Sequence, residues 1–211
     1  KFFFPKNIRE MISFMPTKFP AKTLPTMEIY PAINKKKAIA RVALLTGCVQ
    51  KILSPQINEA TIRLLTRHGI EVVVPKNIDC CGSLNHHLGK GNLANQTFKN
   101  NISIWYDEYL KNGLDAIISN TSGCGTTLKD YEFIFRSDQD LSKKAKKISE
   151  LTKDISEYLE ENVKLNFSTN SNNDKSYKIA YHSACSLQHG QKIHKEPINL
   201  IKKTGNEVVE I

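Results

Sequence analysis

No stretch of the 211 residues comes near the ~18 consecutive apolar positions that a membrane-spanning helix needs, so the chain is not expected to cross a bilayer. Cysteine is scarce too. Five in the whole chain is far below the density of a miniprotein built on disulfides. Disorder is excluded by composition, because hydrophobic residues make up 40% and charged residues 24%, ordinary values for one large or two small globular domains. No secretory leader is expected in the opening residues: the apolar run Phe2-Phe3-Phe4 stops at Pro5, too short for the purpose. The first residue is Lys1 rather than methionine, and a longer parent chain is expected. Without a leader, the thiols are expected in a reducing, cytoplasmic compartment, with any contact to the inner membrane peripheral and made through partners.

Acidic residues are in deficit. The 21 Asp and Glu against 30 Lys and Arg leave a formal charge of +9, which raises nucleic acid as a partner until the charge is located. Residues 1–41 hold nine of the bases against Glu10 and Glu28, and the remainder is nearly neutral. No basic helix and no aromatic-basic stripe follows, so no nucleic-acid site is expected. The basic stretch carries Pro5, Pro16, Pro20, Pro25 and Pro31, whose spacing forbids long helices. Residues 1–37 read as a linker arm lying on a partner or a preceding domain, or as a solvated tail.

From residue 38 short β-branched runs alternate with helical patterns, as in a parallel sheet with crossover helices. Arg41–Thr46, Ile70–Val74 and Asp115–Ser119 read as strands. Ser54 and Pro55 can open a helix whose apolar face is Ile57, Ala60, Leu64 and Leu65, closed by Gly69. Further helices are expected over 93–110, 126–135, 142–149 and 154–161. Residues 166–176, rich in Ser, Asn and Thr, read as a flexible connector.

The pattern then restarts. Lys178-Ile179-Ala180-Tyr181 leads to Cys185 as Val42-Ala43-Leu44-Leu45 leads to Cys48, and Leu200–Val209 parallels Leu64–Val73. Gly69 follows Cys48 at nearly the distance at which Gly205 follows Cys185, which implies a duplication. The expected fold class is therefore α/β, with two similar Rossmann-like subdomains built on parallel sheets, residues 38–165 and 177–211, the second truncated. A second Cys-Cys-Gly is expected a few residues beyond Ile211 in the parent chain.

Four of the cysteines, Cys48, Cys80, Cys81 and Cys124, each lie just after an expected strand. Loops leaving the carboxyl ends of parallel strands gather at one edge, so sulfurs far apart in sequence can meet. Glycines accompany them, in Gly47-Cys48, Cys81-Gly82 and Gly123-Cys124-Gly125; they let backbone approach a bulky group and leave amides free for its sulfides. Thiolates suit both zinc and iron-sulfur clusters. The chain has no Cys-x2–4-Cys pair, the usual zinc knuckle, so widely spread ligands favour a larger core of the four-iron type, with zinc and buried unligated thiols as alternatives.

These segments, with Ser83–Gly89 and Cys185-Ser186-Leu187-Gln188-His189-Gly190-Gln191, resemble the cysteine-rich (CCG) domain family of glycolate oxidase iron-sulfur subunits, which also includes the cysteine-rich subunit of heterodisulfide reductases and the lactate-utilisation iron-sulfur proteins. The resemblance spans essentially the whole chain. It implies electron transfer from a partner subunit carrying flavin (FAD) that oxidises a 2-hydroxy acid, onward to a quinone or other acceptor. It implies metal ligation by Cys48, Cys80, Cys81 and Cys124, most simply of a [4Fe-4S] cluster, with Cys185 either a ligand of a second site or inert. An upstream ferredoxin-type domain is implied as well. The heterodisulfide reductase pattern has a further cysteine where Thr121 stands, so its five-thiolate cluster and disulfide-cleaving chemistry are not expected here. A zinc-stabilised or metal-free scaffold in the same kind of complex is the competing reading.

Gly82, Gly123, Gly125, His86 and His87 are the residues expected to border the cofactor. A histidine there can tune a potential or carry a proton; the plainer alternative is a polar loop residue, as for His182 and His189. His68 and His194 read as surface residues. Trp105, Tyr106 and Tyr109 share helical spacing with Ile102 and read as core, and Lys143, Lys144, Lys146 and Lys147 as a solvated helix face.

Overall fold

Alternation of side chains along β2 (Ala40–Leu45) decides how the protein is layered. Val42 and Leu44 point to one face and Ala43 and Leu45 to the other, and all four are buried. A strand buried on both faces needs cover on both, and the computed structural model, which describes residues 5–13, 27–33, 37–78, 80–165 and 176–211, supplies it with helices. Most of the basic arm and all of the expected connector but Ser176 lie outside the described residues.

The arm is not wholly a linker. It contains helix α1 (Lys6–Ser13) and strand β1 (Ile29–Tyr30), and β1 pairs antiparallel with a strand of the main sheet while Tyr30 is buried in the core. Arg41, one of the nine N-terminal bases, is likewise part of the folded body. After β2 come α2 (Gln50–Leu53), α3 (Pro55–Arg67), β3 (Ile70–Val73), α4 (Ser83–His87), α5 (Gly91–Asn112) and β4 (Ala116–Ser119). Then follow α6 (Ser122–Lys129), α7 (Tyr131–Ile134), α8 (Ser142–Leu151), β5 (Thr152–Asp154) and α9 (Ile155–Asn162). The sheet has the order β1-β3-β2-β4-β5, parallel except for β1.

Helices α5, α6 and α8 cover the face of Ala43, Leu45 and Ile117, with Phe98, Ile102, Trp105, Leu128, Tyr131 and Ile148 filling that layer. Ile62, Leu65, Tyr158 and Leu159, from α3 and α9, cover Val42, Leu44, Val72 and Ile118 on the other. Trp105 is fully buried, and Tyr106 and Tyr109 pack partly buried against the same layer. The Lys144 and Lys147 ammoniums stand 5.5 and 5.4 Å from the Tyr106 and Tyr109 ring centroids, so half of the lysine run covers aromatic rings rather than facing water.

Two expectations about helices are corrected. The buried face of α3 is Asn58, Thr61, Ile62 and Leu65, while Ile57 and Ala60 are exposed, because polar partners at the site hold Asn58 and Thr61 inward. The helix expected over 126–135 is two pieces, α6 and α7, broken at Asp130.

A second sheet comprises β6 (Lys178–Tyr181) and β7 (Glu207–Glu210), with a π-helical turn (Ser186–Gly190) and α10 (Glu196–Lys203) between them. It repeats the plan of β2 to β3. Both strand pairs are parallel, both crossover helices have proline in their first turn, and Gly69 and Gly205 leave those helices at φ +85°.

Candidate metal centre

The chain leaves β2 toward β3 on one side and later returns to place β4 on the other side of β2. Between β2 and β4 the connections therefore diverge, and the crevice outside their carboxyl ends is the natural binding point of an open α/β sheet. Cys48 follows β2 and Cys124 lies in the first turn of α6, just past β4. Cys80 and Cys81 come from the long loop after β3.

All four sulfurs meet there. The Cys48 and Cys80 sulfurs are 3.5 Å apart and those of Cys81 and Cys124 are 3.1 Å apart, and each of these cysteines is unbridged. Among the described residues no group of three or more His, Cys, Asp or Glu side chains is arranged to hold a single metal ion; the sulfurs stand in packed pairs. The backbone behind them is pinned. Tyr131 donates its hydroxyl to the Cys81 carbonyl at 2.9 Å, and Asn101 Nδ2 donates to the Cys80 carbonyl at 2.8 Å and to the Tyr131 oxygen at 3.2 Å. Gly82 N–H donates to the Cys80 sulfur at 3.3 Å.

Crowding sets the proton affinity of these thiols. The Cys80 thiol is pushed well up by its hydrogen bond with Cys81 and by burial. Cys81 rises to about 12 through its hydrogen bond to Cys124 and burial, and Cys48 rises through burial and the adjoining Cys80. Cys124 alone is lowered, because the Cys81 thiol stabilises its anion. Three of the four thus keep their protons at neutral pH, and ligation of any metal must displace them.

The other expected residues divide. Gly82 adjoins the thiols and must be glycine: its φ is +84°, and a Cβ there would stand 2.5 Å from the Phe98 ring. Gly125 serves a different contact, since a Cβ would run into the Gln191 carboxamide at 2.6 Å, and Gly123 has nothing within 4 Å. Gln191 belongs to the segment after Cys185, which docks on α6: Gln191 Nε2 donates to the Ser122 carbonyl at 2.9 Å, and Ser186 donates to Ser122 Oγ at 2.8 Å. Cys185 itself is exposed, and among the described residues no hydrogen bond joins it to the other thiols. His86 and His87 are exposed and line a cavity of about 610 Å³ with Thr126, Thr127, Asp130, Phe133 and Ile134, and the His86 ring lies 5.8 Å from Phe98. Sequence reasoning misses Tyr131 and Asn101, because both sit at helical positions without a motif around them.

Comparison with known proteins bears on the same residues. The family model described as a cysteine-rich domain, CCG, matches residues 42–129, a span that contains all four clustered thiols. This stretch of the chain is similar to the cysteine-rich CCG family. It is 32% identical to the glycolate oxidase iron-sulfur subunit of Escherichia coli, covering 99% of this chain and 47% of that protein. It is 28% identical to a subunit of the CoM/CoB fumarate reductase of Methanothermobacter marburgensis, over 82% of this chain and 31% of that one. Lactate utilization protein A of a Geobacillus species (strain WCH70) is 24% identical over 81% of this chain and 68% of its own length. The chain thus spans about half or less of the first two of these relatives. No solved structure gives a significant match. Among the described residues no helix is long and apolar enough to cross a membrane.

Proposed function

We propose that the chain is an electron-transfer module in which Cys48, Cys80, Cys81 and Cys124 ligate one iron-sulfur cluster of the [4Fe-4S] type. The convergence of four thiols from three loops at the crevice between β2 and β4 carries the reading. The donor set is all sulfur, which suits iron-sulfur clusters and zinc alike; ligands spread over three loops, with no Cys-x2–4-Cys knuckle in the sequence, favour the larger core. Helices α2 and α4, which follow Cys48 and Cys81, bury none of their residues, so the side of the crevice that they border is open. When bound, such a cluster supplies reversible one-electron transfer.

The chain's own residues hold and insulate. Gly82 N–H points at a ligand sulfur, a contact that stabilises the thiolate charge. Tyr131 and Asn101 fix the Cys80-Cys81 peptide groups, and buried Phe98 behind Gly82 excludes water. Relatives named for glycolate, fumarate and lactate chemistry all align with this chain, and that variety of substrates supports placing the organic reaction on a partner. In this reading an FAD-bearing subunit oxidises a 2-hydroxy acid such as glycolate, and the chain relays electrons singly toward a quinone or similar acceptor. It works in the cytoplasm, reaching a membrane only through partners.

Anaerobic reconstitution followed by iron and sulfide analysis and an electronic spectrum tests the proposal. Close to four irons and four sulfides per chain are expected for one such cluster, lost when Cys81 is replaced by Ser. A colourless product holding one zinc ion overturns it in favour of the scaffold reading.

A further inference from the structure

Behind the thiols, at the carboxyl ends of β2 and β4, lies a knot of uncharged side chains that the electron-transfer reading does not use. The Gln50 carboxamide, two residues past Cys48, is its centre. Nε2 donates to Asn58 Oδ1 at 3.0 Å and to Asn120 Oδ1 at 2.6 Å, and Oε1 accepts from the Thr121 hydroxyl at 2.5 Å. Asn58, wholly buried, donates to the Thr46 carbonyl at 2.9 Å, and Asn120 donates to Asn58 Oδ1 and Thr61 Oγ1, each at 3.0 Å. Both ends of Gln50 are engaged, so the loop carrying Cys48 is laced to the loop that leads into Cys124.

Apolar packing cannot hold this loop. Helix α2, which continues from Cys48, buries none of its residues, and Val49, Ile52 and Leu53 are 50%, 53% and 45% exposed. Cys81, by contrast, is 3% exposed within the core. We infer that the hydrogen bonds of Gln50 to Thr121 and Asn120 position Cys48 against the other thiols, so that this outermost sulfur is held by a polar clamp rather than by burial. Gln50 and Thr121 are positioning residues, and their value to an iron-sulfur site rests on the proposed cluster ligation.

Site-resolved alkylation of the reduced, metal-free protein tests the clamp independently of any cluster. Thr121→Val removes the hydroxyl at constant volume, and Thr121→Ser keeps it. With iodoacetamide, Cys48 in Thr121→Val is expected to react about tenfold faster than in the unaltered chain, equivalent to about 1.4 kcal/mol. Cys81 should be unchanged, which controls for the fold. Thr121→Ser should restore the original rate to within about twofold, the scatter expected of a retained hydrogen bond. Gln50→Met, which loses the Asn58 and Asn120 contacts as well, should speed Cys48 at least as much as Thr121→Val, and the double variant should match Gln50→Met, in which the Thr121 contact is already broken. After anaerobic reconstitution, Thr121→Val should hold less iron per chain and show a larger three-iron fraction by electron paramagnetic resonance. An unchanged Cys48 rate in both Thr121→Val and Gln50→Met overturns the clamp, whatever the iron content. A faster Cys48 in a chain that takes up no iron upholds the clamp and overturns the cluster reading instead.

Discussion

At the scale of single residues, the two glycines flanking Cys124 and the one after Cys81 look alike in sequence and differ in what surrounds them. Gly82 combines left-handed backbone, φ +84°, with a ring 2.5 Å from where a Cβ would sit. Gly82→Ala should therefore cost about 3 kcal/mol, strain and overpacking together, read as a lower urea midpoint of the metal-free protein. Gly123→Ala meets no atom within 4 Å and lies inside α6, so it should be neutral or stabilising by up to ~1 kcal/mol. The thiols themselves are legible in the sequence because each follows a strand of plain β-branched composition. The Tyr131 and Asn101 bonds to the thiol loop and the bonds of Gln50 to Asn120 and Thr121 are not, because these partners are 21 to 71 positions away and no local pattern announces such pairings.

Among elements, those with buried faces on both sides can be read directly: β2, β3 and β4 are mostly apolar, with Arg41 and Glu71 as the charged exceptions. Strands β1 and β5 cannot. Two residues in one and Thr-Lys-Asp in the other carry no hydrophobic period, and both owe their form to a neighbour already in place. Polar contacts also turn α3 away from its apolar residues, as Asn58 and Thr61 show. Arg41 illustrates how such contacts join elements. From β2 it donates to Glu71 of β3 at 2.6 Å, to Glu108 of α5 at 2.5 Å and to the Gly113 carbonyl at 3.0 Å. Its side chain is only 17% exposed. Removing it leaves Glu71 and Glu108 without their shared cation, so Arg41→Ala should cost about 2 kcal/mol in chemical denaturation, between the values for exposed and buried pairs. Arg41→Lys should recover less than half of that loss, because an ammonium cannot span both carboxylates and the carbonyl as a guanidinium fork does.

For the molecule as a whole, the thiol group makes stability depend on pH in a direction opposite to that of a protein held by salt bridges. Cys81 moves from 9.0 to about 12 on folding, and Cys48 and Cys80 are raised with it. Above pH ~9 the unfolded chain releases protons that the folded chain retains, so their contribution is fully present below that pH and is lost as pH climbs toward about 12. The lowered Cys124 works against this trend without reversing three raised partners. The urea midpoint of the metal-free protein should fall across this range, and Cys81→Ser should flatten the slope.

The order in which the thiols occur along the chain has a consequence for biosynthesis. Cys48, Cys80 and Cys81 emerge from the ribosome well before β4 and Cys124, and until β4 docks beside β2 the crevice has only one wall. A nascent polypeptide therefore offers an incoming metal no complete pocket. Loading of the proposed cluster would therefore follow completion of the sheet, so that a factor delivering iron and sulfide would meet a folded chain.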